Sequence, residues 1–357
     1  MNWALSIDRK TITDVRIIEE TARPLADGEA RLAVDSFALT ANNITYAAFG
    51  DAMRYWDFFP GTDDRCRLPV WGFADIAESR VEGLAVGERL YGYFPAASEL
   101  IVSPGKITPG AFIDTAPHRA ELPPAYNNYV RCSADPGWTE NGEAAQMVLQ
   151  PLFITAWLLD FFLRDDANGF TDAPILLTSA SSKTAIALAF ALKAGGGRQA
   201  IGLTSTRNAV FVNGLDLYDA VTTYDAVDNL NPARPAAIVD FAGDADLNRA
   251  LHTALAGRLA GNIRVGGAHW EQSAPPRDLP PPKPQFFFAP DAARTLIKQW
   301  GPEAFDQRYK AAWRTFADAA PDYFDFRSEA GSEGALSVYK SLLEGKAAPR
   351  DGISIKV

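Results

Sequence analysis

The chain has 357 residues, 47% apolar and 22% charged, which is typical of a folded protein long enough for two domains. Its formal net charge of −10 argues against nonspecific binding to nucleic acids or anionic membranes, because both need a cationic surface. The two cysteines, Cys66 and Cys132, imply no disulfide framework. There is no signal-peptide pattern and no apolar run approaching roughly 20 residues, so we expect a cytoplasmic protein without a membrane span.

The first third of the chain alternates between apolar and polar residues, as strands with one buried face do. EARLAVDSFALT and ERLYGYFPAASELIVSP carry this pattern, and turn signals such as ADGE and AVGE interrupt it. An aromatic loop, YWDFFPG at residues 55–61, lies between them. AAQMVLQPLFITAWLLDFFL then predicts a long apolar helix, kinked near Pro151.

From Pro174 onward the pattern changes to alternating strands and helices. APILLTS, QAIGLTS, DAVTTY, AAIVDFAG and GNIRVGG are typical of strands, and helical segments separate the first of them. This βαβ order predicts a parallel sheet with helices on both faces. The proline-rich segment SAPPRDLPPPKPQFFFAP closes the unit, and helical patterns and a final strand, GISIKV, follow it.

The segment ILLTSASSKTAIALAFALKAG predicts a buried strand, a tight turn and a helix. Such turns bind phosphate at the helix N-terminus and usually contain glycines, but Ser179–Thr184 contains none. A P-loop needs glycines that would fall at Leu177 and Ser182, which disfavours that interpretation. Two interpretations remain. In a dinucleotide turn, Ser181, Ser182 and Lys183 would replace glycine amides; alternatively, a serine-rich helix cap binds nothing.

The end of the second strand selects the cofactor in dinucleotide folds. A carboxylate there binds the ribose hydroxyls of NAD, whereas an arginine accommodates the 2′-phosphate of NADP. No acidic residue occurs from Gly197 to Leu215, and Arg207 follows the second strand with hydroxyls beside it. Guanidinium groups suit phosphate dianions. The segment therefore predicts NADPH, and the alternative is a solvated arginine at a helix start.

Residue spacing gives no support to metal or serine catalysis. The histidines, His118, His252 and His269, are far apart, and no cysteine lies at a short spacing from them, so no zinc ligand set is apparent. There is no G-x-S-x-G motif to seat a nucleophilic serine. The feasible chemistry is hydride transfer to an already polarised acceptor, such as an enone or a quinone.

Several segments match known patterns. LTANNITYAAFGDAMRYWDFFP and PVWGFADIAES resemble the DUF2855 family, while GLAVGERLYGYFP, PLFITAWLL and EGKAAPRDGISIKV resemble the medium-chain dehydrogenase/reductase superfamily, on its zinc-free, quinone-reductase-like side. Zinc alcohol dehydrogenases have Gly-His-Glu where this chain has Gly72-Phe73-Ala74, and a cysteine where it has Asn42, Asn43 and Thr45. These departures separate the chain from the zinc branch.

The resemblance implies an α/β protein with two domains. Residues 1–150 are expected to form the first part of a GroES-like β-barrel domain, and 286–357 to return and complete it. Residues 151–285 are expected to form a Rossmann-type domain with a doubly wound parallel sheet. The resemblance also implies NADPH as cofactor, a small apolar or conjugated acceptor as substrate, and a homodimer.

Carried over by position, the resemblance assigns the cofactor-binding residues. The superfamily's Gly-Gly-Val-Gly is replaced by Ser182-Lys183-Thr184-Ala185, which makes the turn the main departure. The expected contacts are Thr155 at the nicotinamide; Ser181, Ser182, Lys183 and Thr184 along the diphosphate; Ser205 and Arg207 at the 2′-phosphate; Tyr224 at the adenosine end; and Gly243, Gly266 and Gly267 close to the cofactor.

Reduction of an enone needs a group that stabilises and protonates the enolate. Tyr46 is the candidate proton donor, because the superfamily brings this loop to the nicotinamide, and Asn42 or Asn43 is expected to hydrogen-bond the acceptor oxygen. The alternative is a packed tyrosine, with water as the donor. The residues expected to line an apolar substrate wall, or simply to pack in the core, are Tyr55, Trp56, Phe58, Phe59 and Phe287.

Two other functions stay open. The lost glycines favour a catalytically inert NADPH-binding sensor or scaffold. A basic patch for a coenzyme A phosphate would favour an enoyl-thioester reductase.

Overall fold

The computed structural model describes residues 2–265 and 279–357. Its strands form where apolar residues alternate with polar ones or occur in continuous runs. The strands are β1 (Asn2–Asp8), β2 (Val15–Glu20), β3 (Ala30–Leu39), β4 (Arg65–Arg67), β5 (Pro69–Ser79), β6 (Arg89–Pro95), β7 (Glu99–Val102), β8 (Pro104–Gly105), β9 (Ala111–Asp114), β10 (Asn128–Arg131), β11 (Ile175–Leu177), β12 (Ala200–Thr204), β13 (Ala220–Thr223), β14 (Ala236–Asp240), β15 (Leu259–Arg264), β16 (Gln285–Phe286), β17 (Asp325–Ala330) and β18 (Asp351–Lys356). The helices are α1 (Ala41–Ala48), α2 (Glu143–Arg164), α3 (Lys183–Ala194), α4 (Ala209–Gly214), α5 (Ala245–Ala254), α6 (Ala289–Trp300), α7 (Pro302–Tyr323) and α8 (Gly331–Leu343).

The chain divides into two compact units. The first combines the residues up to Val148 with Phe324–Val357, and the second covers Leu149–Tyr323. The second boundary therefore lies at Tyr323 and not at residue 285. The reason is aromatic packing of α6 and α7 on α2, where Trp157 lies 6.1 Å from Trp300 between ring centroids.

The first unit is mainly antiparallel. Its larger sheet has nine strands in the order β17-β18-β3-β5-β6-β10-β9-β8, with β7 also on β3, and a smaller sheet has the order β2-β1-β4. The C-terminal strand β18 pairs with β3, so that Ile355 lies opposite Phe37. Inward side chains such as Phe37, Phe73 and Phe112 form a core without exposed surface. The predicted β-domain is confirmed, and its last strands come from the end of the chain.

The second unit contains a six-stranded sheet in the order β13-β12-β11-β14-β15-β16, with all neighbours parallel. This is the doubly wound order of a Rossmann-type domain, and it confirms the predicted fold class. Strands β11, β12 and β14 are buried along their whole length, which explains their continuous apolar sequences. The strand order reverses between β11 and β14, and ligands of this fold bind outside the carboxyl ends of the strands at such a point.

Helix α2 corrects the expectation that no segment is long and apolar enough to cross a bilayer. Residues 140–164 meet that criterion by length and composition, with a mean hydropathy of 1.4, and 67% of the window concerned is buried. Burial in the core accounts for the apolarity. The helix also runs through Pro151 without interruption.

Candidate functional site

The turn between β11 and α3, hereafter the β11–α3 turn, keeps a left-handed residue although it has no glycine. Ser179 has a φ of 47°, a conformation that glycine adopts freely and that costs other residues roughly 1–2 kcal/mol. Ser182 has extended backbone, and its hydroxyl accepts the Ala185 N–H at 3.3 Å, which makes it the N-cap of α3. The first turn of a helix leaves N–H groups without helical acceptors, and an anion can satisfy them.

Three side chains from the segments around β12 and β13 contact this turn. The Tyr224 hydroxyl accepts the Ser179 N–H at 2.9 Å. The Tyr218 hydroxyl donates to the carbonyl of the next residue in the turn at 2.8 Å. The Asn208 amide donates to Ser181 Oγ at 3.0 Å. Tyr224 and Tyr218, which flank β13, therefore hold backbone atoms of the turn, and Asn208, which follows β12, holds the Ser181 hydroxyl.

The carboxyl end of β12 is rich in hydroxyls. The Thr204 hydroxyl is buried and has no hydrogen-bond partner among the described residues. Ser205 follows it, half-buried, and a single 3₁₀ turn covers Thr206–Asn208 with Arg207 exposed. The donors predicted for a 2′-phosphate thus lie on one short loop.

A buried polar network fixes the end of β14. The Asp240 carboxylate accepts hydrogen bonds from the Thr178 hydroxyl at 2.7 Å, from the Gly243 N–H at 3.1 Å and from the Asn248 amide at 2.9 Å. The Thr178 oxygen itself accepts the Phe241 N–H at 2.9 Å. Gly243 has a φ of 69°, which suits glycine. Because Thr178 follows β11, the network joins the two strand ends at which the strand order reverses.

The network continues toward β15. Asn262 donates to the Asn248 amide oxygen at 2.9 Å, and its amide nitrogen lies 3.0 Å from His252 Nε2. Burial lowers the pKa of His252, and Lys283 lowers it further, so the ring is neutral at pH 7. A neutral ring accepts from Asn262 through Nε2 and donates to the Pro280 carbonyl through Nδ1.

The other residues predicted to bind the cofactor lie in α2, at the start of α3, or outside the described residues. Thr155 lies half-buried within α2, and Lys183 and Thr184 are the first two residues of α3, also half-buried. Gly266 and Gly267 lie outside the described residues.

In the first unit, aromatic side chains form what we call the tyrosine cluster. Its buried members are Tyr46, Phe58, Phe59, Tyr93 and Leu122, and Tyr55, Trp71 and Tyr126 pack against them. Ring centroids are 4.6 Å apart for Tyr46 and Tyr55 and 4.8 Å apart for Tyr93 and Tyr126. The Tyr93 hydroxyl is buried and has no hydrogen-bond partner among the described residues.

The surroundings of Tyr46 keep its phenol group protonated. Burial raises the pKa of Tyr46 above its ordinary value, so the group is protonated at neutral pH. Its oxygen accepts the Trp71 indole N–H at 3.3 Å and a hydrogen bond from the Asn42 amide, and both contacts favour the phenolate. Tyr46 therefore carries its proton at neutral pH, and the raised pKa makes it a weaker acid than an exposed tyrosine.

The two asparagines beside Tyr46 differ in their contacts. Asn43 Oδ1 accepts the Thr40 N–H at 2.7 Å, and its amide donates to the Pro69 carbonyl at 2.9 Å. This is a capping box at the start of α1, so Asn43 has a structural role. Asn42 is the asparagine that contacts Tyr46.

The predicted aromatic wall is brought together only in part. Tyr55 and Phe59 belong to the tyrosine cluster. Trp56 is 1% exposed and packs over Gly50, where a Cβ would lie 2.1 Å from its indole nitrogen. Phe287 is buried in the second unit, with its ring 5.4 Å from that of Phe162. Trp56 and Phe287 therefore have core surroundings.

Sequence reasoning missed Tyr218, Asn208 and Asp240. One signal was available for Tyr218, because a glycine inside an apolar strand often marks a close approach. A Cβ on Gly202 would lie 3.1 Å from the Tyr218 ring and from the Ala180 side chain. No comparable signal exists for Asn208. Among the described residues, no group of three or more His, Cys, Asp or Glu side chains is placed to hold a metal ion.

A Rossmann-type parallel sheet in one unit and a mainly antiparallel sheet in the other make up a two-domain fold, and solved structures share it. CurA from Vibrio vulnificus, crystallised with NADPH, superposes with a TM-score of 0.63 at 12% identity, covering 100% of this chain and 99% of its own. The yhdH oxidoreductase from Salmonella enterica, in complex with NADP, gives 0.56 at 14% identity with full coverage of both chains. The CurK enoyl reductase gives 0.56 at 10% identity, covering 99% of each.

The chain belongs to the family described as protein of unknown function DUF2855, whose sequence model matches residues 37–348. This confirms the family predicted from the sequence. No curated protein matches the chain.

Proposed function

We propose that the protein is an NADPH-dependent, metal-free oxidoreductase that transfers hydride to a conjugated carbonyl or a quinone. The observation that carries the proposal is the β11–α3 turn, because it keeps the left-handed residue and the helix cap of a dinucleotide turn without glycine. The buried Thr204 hydroxyl, which has no hydrogen-bond partner among the residues that the structure describes, adds a donor next to the loop of Arg207. CurA and yhdH, which have the same fold, were crystallised with NADPH and NADP.

The residues of the second unit fit such a cofactor. We assign Ser181, Ser182, Lys183 and Thr184 to the diphosphate, Ser205 and Arg207 to the 2′-phosphate, Tyr224 to the adenosine side, Thr155 to the nicotinamide, and Gly243 to a position close to the cofactor. Gly266 and Gly267, outside the described residues, stay candidates from the sequence. Lys183 supplies positive charge at the start of α3, where the helix dipole also favours an anion. Bound NADPH supplies the hydride, and the protein supplies orientation and a proton.

Arg207 allows the cofactor assignment to be tested at one side chain. We expect Arg207→Ala to weaken NADPH binding by about 1.5–3 kcal/mol, the scale of a hydrogen bond to a charged group, and to leave NADH binding unchanged. Titration of both cofactors, followed by tryptophan fluorescence, measures the two affinities. Arg234→Ala, in the same unit but distant in sequence, is the control. Equal losses for NADPH and NADH would remove Arg207 from this role.

The acceptor assignment is supported by the tyrosine cluster. Its aromatic rings suit a flat, conjugated molecule, and its phenol hydroxyls can hydrogen-bond a polar group of that molecule. The test is NADPH oxidation with a panel of enones, enoyl thioesters and quinones. Binding of NADPH without oxidation by any of them would favour the inert sensor or scaffold. Oxidation by enoyl thioesters alone would favour the enoyl-thioester reductase. Absence of binding by NADPH and NADH would contradict all three.

Tyr46 is the proton donor of this proposal, and Asn42 its hydrogen-bonding neighbour. We expect Tyr46→Phe to lower kcat for enone reduction by about 10²-fold, the lower end for a general acid, while the NADPH affinity stays the same. Steady-state kinetics with an enone measure kcat. Tyr339→Phe, which removes another buried hydroxyl of the first unit, is the matched control. Full turnover by Tyr46→Phe would identify water as the donor.

The proposal includes a homodimer in the cytoplasm. In the described sheet, β16 lies at an edge, and it carries Phe286, which is 62% exposed. Phe288 stacks beside it with a centroid distance of 6.4 Å. An exposed apolar pair on a sheet edge favours pairing with a second copy. Sedimentation velocity tests this, and a monomer at micromolar concentration would contradict it. Cell fractionation tests the location.

A further inference from the structure

The β11–α3 turn contains a strained residue that the hydrogen bonds within the turn support only in part. Ser179 must stay left-handed, at a cost that a glycine would avoid. The residue is also buried, so its backbone polar groups need partners inside the protein. In a glycine-rich turn the conformation is accessible without support. Here the Ser182 N–H donates to the Ser179 carbonyl at 2.7 Å and the Ala180 N–H donates to the Leu203 carbonyl at 3.0 Å, while the Ser179 N–H and the Ala180 carbonyl have side-chain partners.

Two tyrosines provide that support on either side of the left-handed residue. Tyr224 accepts the Ser179 N–H at 2.9 Å, and Tyr218 donates to the Ala180 carbonyl at 2.8 Å. Burial raises the pKa of both phenols, so both stay protonated and Tyr218 remains a donor. Gly202 leaves the space that the Tyr218 ring occupies. The contacts thus fix the N–H at the start and the carbonyl at the end of the strained dipeptide.

We propose that Tyr218 and Tyr224 are positioning residues that hold the glycine-free turn in the shape that receives the diphosphate of a dinucleotide. This inference rests on the proposed function. Two phenols that flank β13, Tyr218 before the strand and Tyr224 after it, take over what glycine does in other dinucleotide turns. Both act through backbone atoms of the turn, so they support NADPH and NADH equally, unlike Arg207.

The test is a double-mutant cycle between Tyr224→Phe and Ser179→Gly. Tyr224→Phe leaves the Ser179 N–H without its acceptor and releases the turn. We expect it to raise the Kd of NADPH and of NADH by about tenfold each. When Ser179 is replaced by glycine, the turn adopts its shape without support from the Tyr224 hydroxyl. In that background we expect Tyr224→Phe to raise either Kd by at most about threefold. Isothermal titration of the full chain measures all four variants with both cofactors.

A matched control distinguishes a loss of cofactor affinity caused by the turn from one caused by lower overall stability. Tyr339→Phe removes a buried hydroxyl that donates to the Ile12 carbonyl at 3.0 Å in the first unit. It is expected to lower Tm without changing either Kd. Should Tyr224→Phe fail to fold, Tyr218→Phe repeats the cycle at the carbonyl side of the turn.

The outcomes distinguish this inference from the function on which it rests. If the wild-type chain binds the cofactors but Tyr224→Phe costs the same with Ser179 and with Gly at that position, the positioning role is overturned and the proposed function stands. A loss confined to NADPH would also overturn it, because the diphosphate is common to both cofactors. If the wild-type chain binds neither cofactor, both the proposed function and the positioning role fail.

Discussion

Replacing Asp240 with alanine is expected to lower the free energy of unfolding by about 3–5 kcal/mol, because several buried donors lose their acceptor at about 1–3 kcal/mol each. The Thr178 hydroxyl, the Gly243 N–H and the Asn248 amide all donate to this carboxylate within 3.1 Å. Asp240 is 2% exposed, so these donors are shielded from bulk water. Urea unfolding followed by circular dichroism measures the loss.

Two further variants sharpen this prediction. Asp240→Asn keeps one acceptor oxygen but turns an NH₂ group toward the donors, so an intermediate loss is expected. Asp246→Ala removes a carboxylate whose side chain is 91% exposed, in the first turn of α5, and should cost no more than about 0.5 kcal/mol. A loss below about 1 kcal/mol for Asp240→Ala would show that the network is not needed for folding.

The second large loss of stability is expected when Arg119 in the first unit is replaced. Its guanidinium lies 3.1 Å from Asp114, and each side chain is 1% exposed. It also donates to the Tyr129 hydroxyl at 3.1 Å and lies 4.7 Å from the centre of the Phe59 ring, in the tyrosine cluster. Arg119→Leu leaves the Asp114 charge buried without a counter-ion, which costs about 3–5 kcal/mol. Thermal and urea unfolding measure this loss.

A double variant distinguishes the charge from the packing. In Arg119→Leu with Asp114→Asn the uncompensated charge is gone, while the amide oxygen can still accept the Ser103 N–H that Asp114 accepts at 3.0 Å. We expect the double variant to be more stable than Arg119→Leu alone. If it is less stable, the contribution of Arg119 comes from its packing and its hydrogen bond to Tyr129.

Some site residues could be predicted from the sequence because their contacts are close in sequence. Others were missed because their contacts join residues far apart in sequence. Ser182 could be named because an N-cap acts on a residue three positions away. The missed residues Tyr218 and Asp240 contact Ala180 and Thr178, which lie 38 and 62 positions away in the sequence. Asn43 and Trp56 were predicted at the site for their type, but contacts with Pro69 and Gly50 give them core roles.

The sequence by itself determined the fold class and the family. Continuous apolar runs followed by helices specify a buried parallel sheet, and both signals are local, since each strand and helix carries its own periodicity. The position of Arg207 after the second strand is equally local. Only the tertiary structure decided how a turn without glycine is held, where the second unit ends, and which polar groups share Asp240. These features depend on side chains from distant segments, and their pairing is set by the strand order and by packing.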